Sequence, residues 1–117
     1  MNTPLTYSCA MIIKETSIFT KIILDILPDD HYRLLQEALI KNPESGSVIK
    51  GSGGIRKVRW STGNKGKSGG MRVIYYWMAT KQQIYMLYAY TKTELDSLTT
   101  NQLKILKKVV EEELDHE

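Results

Sequence analysis

Three strand-like segments in succession limit what this chain can become. Residues 55–60 (IRKVRW), 71–79 (MRVIYYWMA) and 84–91 (IYMLYAYT) are rich in β-branched and aromatic residues and bounded by turn formers. The last two are separated by TKQQ, short enough to read as a tight hairpin turn. Helical periodicity flanks the set. Ile18, Ile22, Ile23 and Ile26 recur at helical spacing behind Thr16 or Ser17, either of which can cap a helix. Pro28 breaks that helix. A second covers residues 29–42, with Asp29 and Asp30 at the positive end of its dipole and Leu34, Leu35, Ala38 and Leu39 as the expected buried stripe, closed by Pro43. Thr99 and Gln102 form a capping box that opens a last helix, with Leu103, Leu106, Val110 and Leu114 on one stripe. Residues 8–15 (SCAMIIKE) read as a first strand and residues 44–54 as turn chemistry.

The expected order is therefore β-α-α-β-β-β-α. This is an α+β class: a small domain with a twisted, mainly antiparallel sheet and helices packed on it. A length of 117 residues supports one modest core, hence a single domain over 1–117, with residues 1–7 read as a ragged extension. No internal repeat or low-complexity tract interrupts it. One cysteine, Cys9, excludes an internal disulfide framework and a cysteine-rich zinc site. No apolar run approaches the roughly 20 residues that span a bilayer, and the N-terminus carries no evident secretion signal. The expectation is a cytoplasmic protein without membrane contact.

Net charge is only +3, yet its distribution is lopsided. Residues 1–44 hold six acids against four cations, and residues 94–117 hold seven against three. Residues 45–93 hold nine cations and no acid: Lys50, Arg56, Lys57, Arg59, Lys65, Lys67, Arg72, Lys81 and Lys92. Forty-nine residues without Asp or Glu, in a segment patterned like a sheet, point to a polyanion site. Self-neutralisation against the acidic arms is the competing explanation. On residues 55–60, alternation puts Ile55, Lys57 and Arg59 on one side and Arg56, Val58 and Trp60 on the other.

Familiar catalytic kits are missing. His31 and His116 have no partner at a useful spacing. GSGG at 51–54 is too short and precedes a strand, so it is a loop and not a phosphate cradle. No carboxylate cluster offers ligands for Mg²⁺-dependent nuclease chemistry, and no metal or cofactor is expected. The remaining equipment is Lys, Arg, Tyr and backbone. It suits RNA cleavage by the substrate's own 2′-OH, where the protein need only align the strand and neutralise charge on pentacoordinate phosphorus. Arginine suits the second task because its fork meets two phosphate oxygens.

KGSGGIRKVRW at 50–60, GKSGGMRVIYYW at 66–77 and YAYTKTELDSLTTNQ at 88–102, in this element order, resemble the RelE/HigB superfamily of bacterial toxins. The similarity covers roughly residues 9–112 and is closest to the HigB-like branch, with its long Gly/Lys loop before RVIYY. The resemblance implies the toxin of a type II toxin–antitoxin system: a metal-independent, ribosome-dependent endoribonuclease that cuts mRNA in the A site of the small subunit. It also implies a cognate antitoxin, often a helix-turn-helix protein. The family's working residues fall on Lys57, Arg59, Arg72 and Lys92 as the catalytic set, with Arg72 stabilising the transition-state phosphate. Arg56, Lys65, Lys67 and Tyr90 are the corresponding candidates for RNA contact.

Two positions depart from that pattern. Thr93 stands where RelE has an arginine after the lysine, and residues 94–117 contain no tyrosine to match RelE's catalytic one. The general base is thus unassigned: Tyr90 is a candidate, but its position reads more readily as a core or sheet-face residue. The alternative function is a non-catalytic module that binds nucleic acid or an acidic partner.

Overall fold

The computed structural model describes residues 11–61, 70–92 and 97–115, with residues 114 and 115 described by backbone alone. The elements are β1 (Ile12–Glu15), α1 (Ser17–Ile26), α2 (Asp29–Lys41), β2 (Ser47–Val48), β3 (Ile55–Trp60), β4 (Met71–Met78), β5 (Gln83–Thr91) and α3 (Thr100–Asp115). They form a five-stranded sheet in the order β1-β5-β4-β3-β2. The β1–β5 pair is parallel and the other three pairs are antiparallel. The α+β architecture and the three-strand centre expected from the sequence are thus present. Residues 8–10 of the expected first strand, the 1–7 extension, the Leu114 side chain and His116 lie outside the described residues.

β4 sits in the middle and is covered on both faces. Met71, Val73 and Tyr75 face a core built with Phe19, Ile23 and Leu27 from α1 and its end, and with Leu35 and Leu39 of α2. Ile74 faces a second core with Ile55, Leu87, Tyr90 and, from α3, Leu106 and Val110. This is why residues 71–78 read as a nearly continuous apolar run and not as an alternation.

Four details differ from the sequence reading. The 44–54 segment contains the two-residue edge strand β2, which pairs Ser47 with Lys57 and Val48 with Arg56. Its shortness keeps the exposed edge of the sheet small. In α1 the inward positions are Phe19 and Ile23, while Ile18 is 51% exposed. In α2, Leu34 is likewise turned out, leaving Leu35 and Leu39 as the buried pair. The β4–β5 connection, by contrast, is the tight turn expected at TKQQ, a 3-10 turn over Ala79–Lys81 ended by Gln82 in the left-handed region at φ 51°.

The fourth difference is a β-bulge. β4 and β5 pair in simple register from Met71↔Thr91 to Ile74↔Tyr88, and then Tyr75 pairs with Met86, so Leu87 is extra. A bulge reverses the parity of the residues beyond it. Ile84 and Met86 pack into the α1/α2 core, but Tyr88 and Tyr90 lie with Leu87 on the α3 side. Thr16 holds this irregularity in place. Its hydroxyl donates to the Leu87 carbonyl at 2.9 Å and accepts from the Phe19 N–H at 3.0 Å as the N-cap of α1.

Two further clasps fix the helix pair. Glu15 accepts from the Thr20 hydroxyl at 2.6 Å and from the Tyr32 hydroxyl, tying β1 to α1 and α2. Tyr75 Oη donates to the Pro43 carbonyl at 2.7 Å and accepts from Gly46 N–H at 2.9 Å. A Cβ on Gly46 would lie 2.9 Å from the Lys57 carbonyl oxygen, so only glycine lets that loop approach β3. Among the described residues no helix is long and apolar enough to cross a membrane.

Thr16→Val keeps the side-chain shape and removes both hydroxyl bonds. It should cost about 1–3 kcal/mol, the sum of a lost N-cap and a lost interior hydrogen bond. Urea unfolding of the two proteins measures this difference; equal midpoints would show that the hydroxyl holds neither α1 nor the bulge.

Candidate nucleic-acid interface

The ladder registers place the basic residues. Arg59 is directly opposite Arg72, and Arg72 is directly opposite Tyr90. Opposed residues in a ladder share a face, so these three form one row across β3, β4 and β5. The next row is Lys57–Ile74–Tyr88, and the third is Ile55–Tyr76–Tyr85. α3 packs on the apolar part of this face through Leu106 and Val110, next to Ile55, Ile74, Leu87 and Tyr90. The cationic row lies at the end of the sheet where β4 begins.

Lys92 joins that end. Its backbone N–H donates to the Gly70 carbonyl at 3.3 Å, two residues before Arg72. Gly70 has φ 76°, and a Cβ there would lie 2.4 Å from the Trp60 carbonyl oxygen. Glycine is therefore required for β4 to start this close to the end of β3. Lys57 is half-buried, while Arg59 and Lys92 are exposed.

Arg72 is the unusual member. It is 8% exposed, the one buried cation among the described residues, on a strand whose other inward positions are apolar. Among the described residues no carboxylate pairs with Arg72, Arg59 or Lys57; the ion pair seen there is Lys14–Glu113 at 2.6 Å, on β1 and α3. Two guanidinium groups directly opposite each other repel. Burying one of them unpaired adds a desolvation cost. Electrostatically this arrangement costs the fold, and an incoming anion would relieve both terms.

Tyr90 completes the row but is not an open stacking surface. It is 2% exposed, and its hydroxyl is buried without a hydrogen-bond partner among the described residues. Burial pushes its ionisation above the usual phenol value; the Arg72 charge pulls it partway back and Tyr88 adds to the rise. In the free protein it is a neutral phenol.

The remaining candidates lie elsewhere. Arg56 is on the opposite face, across from Tyr75, and donates to the carbonyls of Gly46 at 2.7 Å and Glu44 at 3.2 Å. Its guanidinium holds the loop after α2 and does not join the cationic row. Lys65, Lys67 and Thr93 lie outside the described residues. Tyr88, which sequence reasoning did not single out, shares the face with Lys57 because of the bulge at Leu87, and strict alternation gives no sign of it. Among the described residues no group of three or more His, Cys, Asp or Glu side chains is gathered as a metal site.

No protein-family description matches the chain. Among solved structures, a doubly arginine-substituted Escherichia coli toxin RelE in the free state superimposes with a TM-score of 0.53, at 13% identity, over 74% of this chain and 87% of that one. The fold is RelE-like. At this identity the likeness is one of architecture, and within the RelE-like fold the row Arg59–Arg72–Tyr90 stands on the sheet face beside α3.

If Arg72 is an unpaired buried charge, replacing it with an apolar side chain of similar length should stabilise the free protein. Arg72→Met should raise the unfolding free energy by about 1–2 kcal/mol. Chemical denaturation measures it; a loss of stability would mean that Arg72 serves the fold.

Proposed function

We propose that this protein is the toxin of a type II toxin–antitoxin system, of the HigB-like branch, and that it cleaves mRNA on the ribosome in the cytoplasm without a metal. The observation that carries the reading is Arg72: a buried guanidinium with no acidic partner among the described residues, beside Arg59 and one row from Lys57, on a RelE-like sheet. The Gly/Lys loop and RVIYY strand motif support the HigB-like branch.

The chemistry follows from this equipment. The 2′-OH of one nucleotide loses its proton and attacks the adjoining phosphorus in line. A P–O2′ bond forms and the P–O5′ bond breaks. The upstream fragment ends in a 2′,3′-cyclic phosphate, and the downstream O5′ takes a proton and becomes a hydroxyl. Negative charge grows on the non-bridging oxygens, where Arg72 meets it in a partly dry site that strengthens the interaction. Arg59 and Lys57 hold the flanking phosphate and assist proton transfer, and Lys92 approaches from the end of β5. Lys65 and Lys67 grip messenger or ribosomal backbone.

Tyr90, kept neutral by burial, supplies no strong base. The rate must then come from alignment and charge neutralisation, which is work that a ribosome holding the strand in line can share. A cognate antitoxin, of helix-turn-helix type, keeps the protein inactive by denying RNA the basic face.

Arg72→Ala should lower the rate of message cleavage on assembled ribosomes by about 10²–10³ and abolish growth arrest, with a circular dichroism spectrum like that of the wild type. Full cleavage by the folded variant would refute the role given to Arg72. A wild-type protein that binds RNA but cuts none, on or off ribosomes, would establish the alternative of a non-catalytic binding module.

A further inference from the structure

β1 pairs with β5 from Gln83 to Met86, so among the described residues the rest of β5 has no strand neighbour on that side. There, between α1 and α3, an open cavity of about 440 Å³ is lined by Ile22, Asp25 and Ile26 of α1, Tyr88 and Tyr90 of β5, and Gln102 of α3. Tyr90 faces Arg72 across the β4–β5 ladder, so the cavity begins one strand away from the guanidinium. If a scissile phosphate sits on Arg72, a base next to it lies within reach of this cavity.

The polar groups of the cavity are few and of distinct kinds. Asp25 is exposed and has two acceptor oxygens with no partner among the described residues. A carboxylate repels phosphate and accepts hydrogen bonds, so a ligand group that meets Asp25 here must be a donor. Gln102 is held in position because its side-chain oxygen accepts from the Thr99 N–H at 2.9 Å, and this leaves its amide NH₂ to donate. Tyr90 also lines the cavity, but its hydroxyl is buried, without a partner among the described residues, and offers the cavity no accessible polar group. Tyr88, Ile22 and Ile26 give aromatic and aliphatic walls, the surfaces on which unstacked bases rest.

Two acceptors beside one donor are complementary to a single base edge. Guanine presents N1–H and the N2 amino group as adjacent donors, followed by O6 as an acceptor. Cytosine and adenine each offer one amino donor next to a ring acceptor, and uracil offers one N–H between two carbonyls. We infer that the cavity between α1 and α3 is a guanine-reading pocket, in which Asp25 accepts from N1–H and N2 while the Gln102 amide donates to O6. The inference rests on the preceding reading that a message lies across the Arg72 row, and it names what sets base preference there.

The test maps cleavage ends on ribosome-bound messages of randomised sequence. The wild type should favour guanine at a position adjoining the cut. Asp25→Asn replaces one acceptor with a donor and should lower the guanine-to-other ratio about tenfold, within the range for loss of a bidentate base contact. Gln102→Glu retains the acceptor for Thr99 and sets a carboxylate against O6, so it should lower the same ratio at unchanged melting temperature. Absence of guanine preference in the wild type, or a ratio unmoved in both variants, overturns the inference.

A second measurement is independent of cleavage. In heteronuclear NMR, guanosine, and not cytidine, should shift signals of residues 22, 25, 88, 90 and 102. Those shifts in a protein that cuts no RNA would keep the pocket and remove the nuclease reading. Cleavage with an unmoved ratio and no guanosine shifts would keep the nuclease and remove the pocket.

Discussion

Strand β4 is covered on one side by the α1/α2 pair and on the other by α3, and everything else in the structure adjusts to that enclosure. A strand buried on both faces must be apolar at nearly every position, and Met71, Val73, Ile74 and Tyr75 comply. Arg72 does not. It brings a permanent positive charge to the edge of the enclosure, next to a second arginine and without a carboxylate among the described residues. The cost is tolerable because it falls at the second residue of the strand, close to Gly70 and the end of the sheet. The same position is where an anion could be held by a preset, partly desolvated guanidinium at little further reorganisation.

Much of this was legible in the chain. The three-strand centre declares itself through β-branched and aromatic runs between turn formers, and the common parity of Lys57 and Arg59 follows from counting along β3. That Arg72 lies on the same face does not follow from counting, since alternation within either strand does not fix the β3–β4 register. Simple periodicity also failed where two neighbours compete for one inward direction. Ile18 and Phe19 are adjacent, and the larger ring takes the core. Leu34 and Leu35 show the same choice. β2 was invisible because two residues carry no period, and its pairing is dictated by the loop that Arg56 and Tyr75 clasp.

The bulge at Leu87 is the most consequential feature absent from the pattern. Strict alternation would set Ile84, Met86, Tyr88 and Tyr90 on one face. One extra residue, anchored by the Thr16 hydroxyl, moves both tyrosines to the α3 side. It thereby aligns Tyr90 with Arg72 and makes Tyr88 a wall of the neighbouring cavity. A core device at the start of α1 thus shapes the face at the far end of β5. The distribution of charge points the same way: the acidic arms supply Glu15 to a hydroxyl network and Glu113 to Lys14, and leave Arg59 and Arg72 without an acidic partner among the described residues.

The central claim is that this cationic row promotes attack by the RNA's own 2′-OH, and the chemistry of the cut ends tests it most directly. Messages cleaved on ribosomes should yield an upstream fragment ending in a 2′,3′-cyclic or 3′-phosphate and a downstream fragment with a 5′-hydroxyl. A single 2′-deoxy nucleotide at the cut position should block cleavage there without weakening binding. A downstream 5′-phosphate would mean that water or hydroxide was the nucleophile, and would contradict the account.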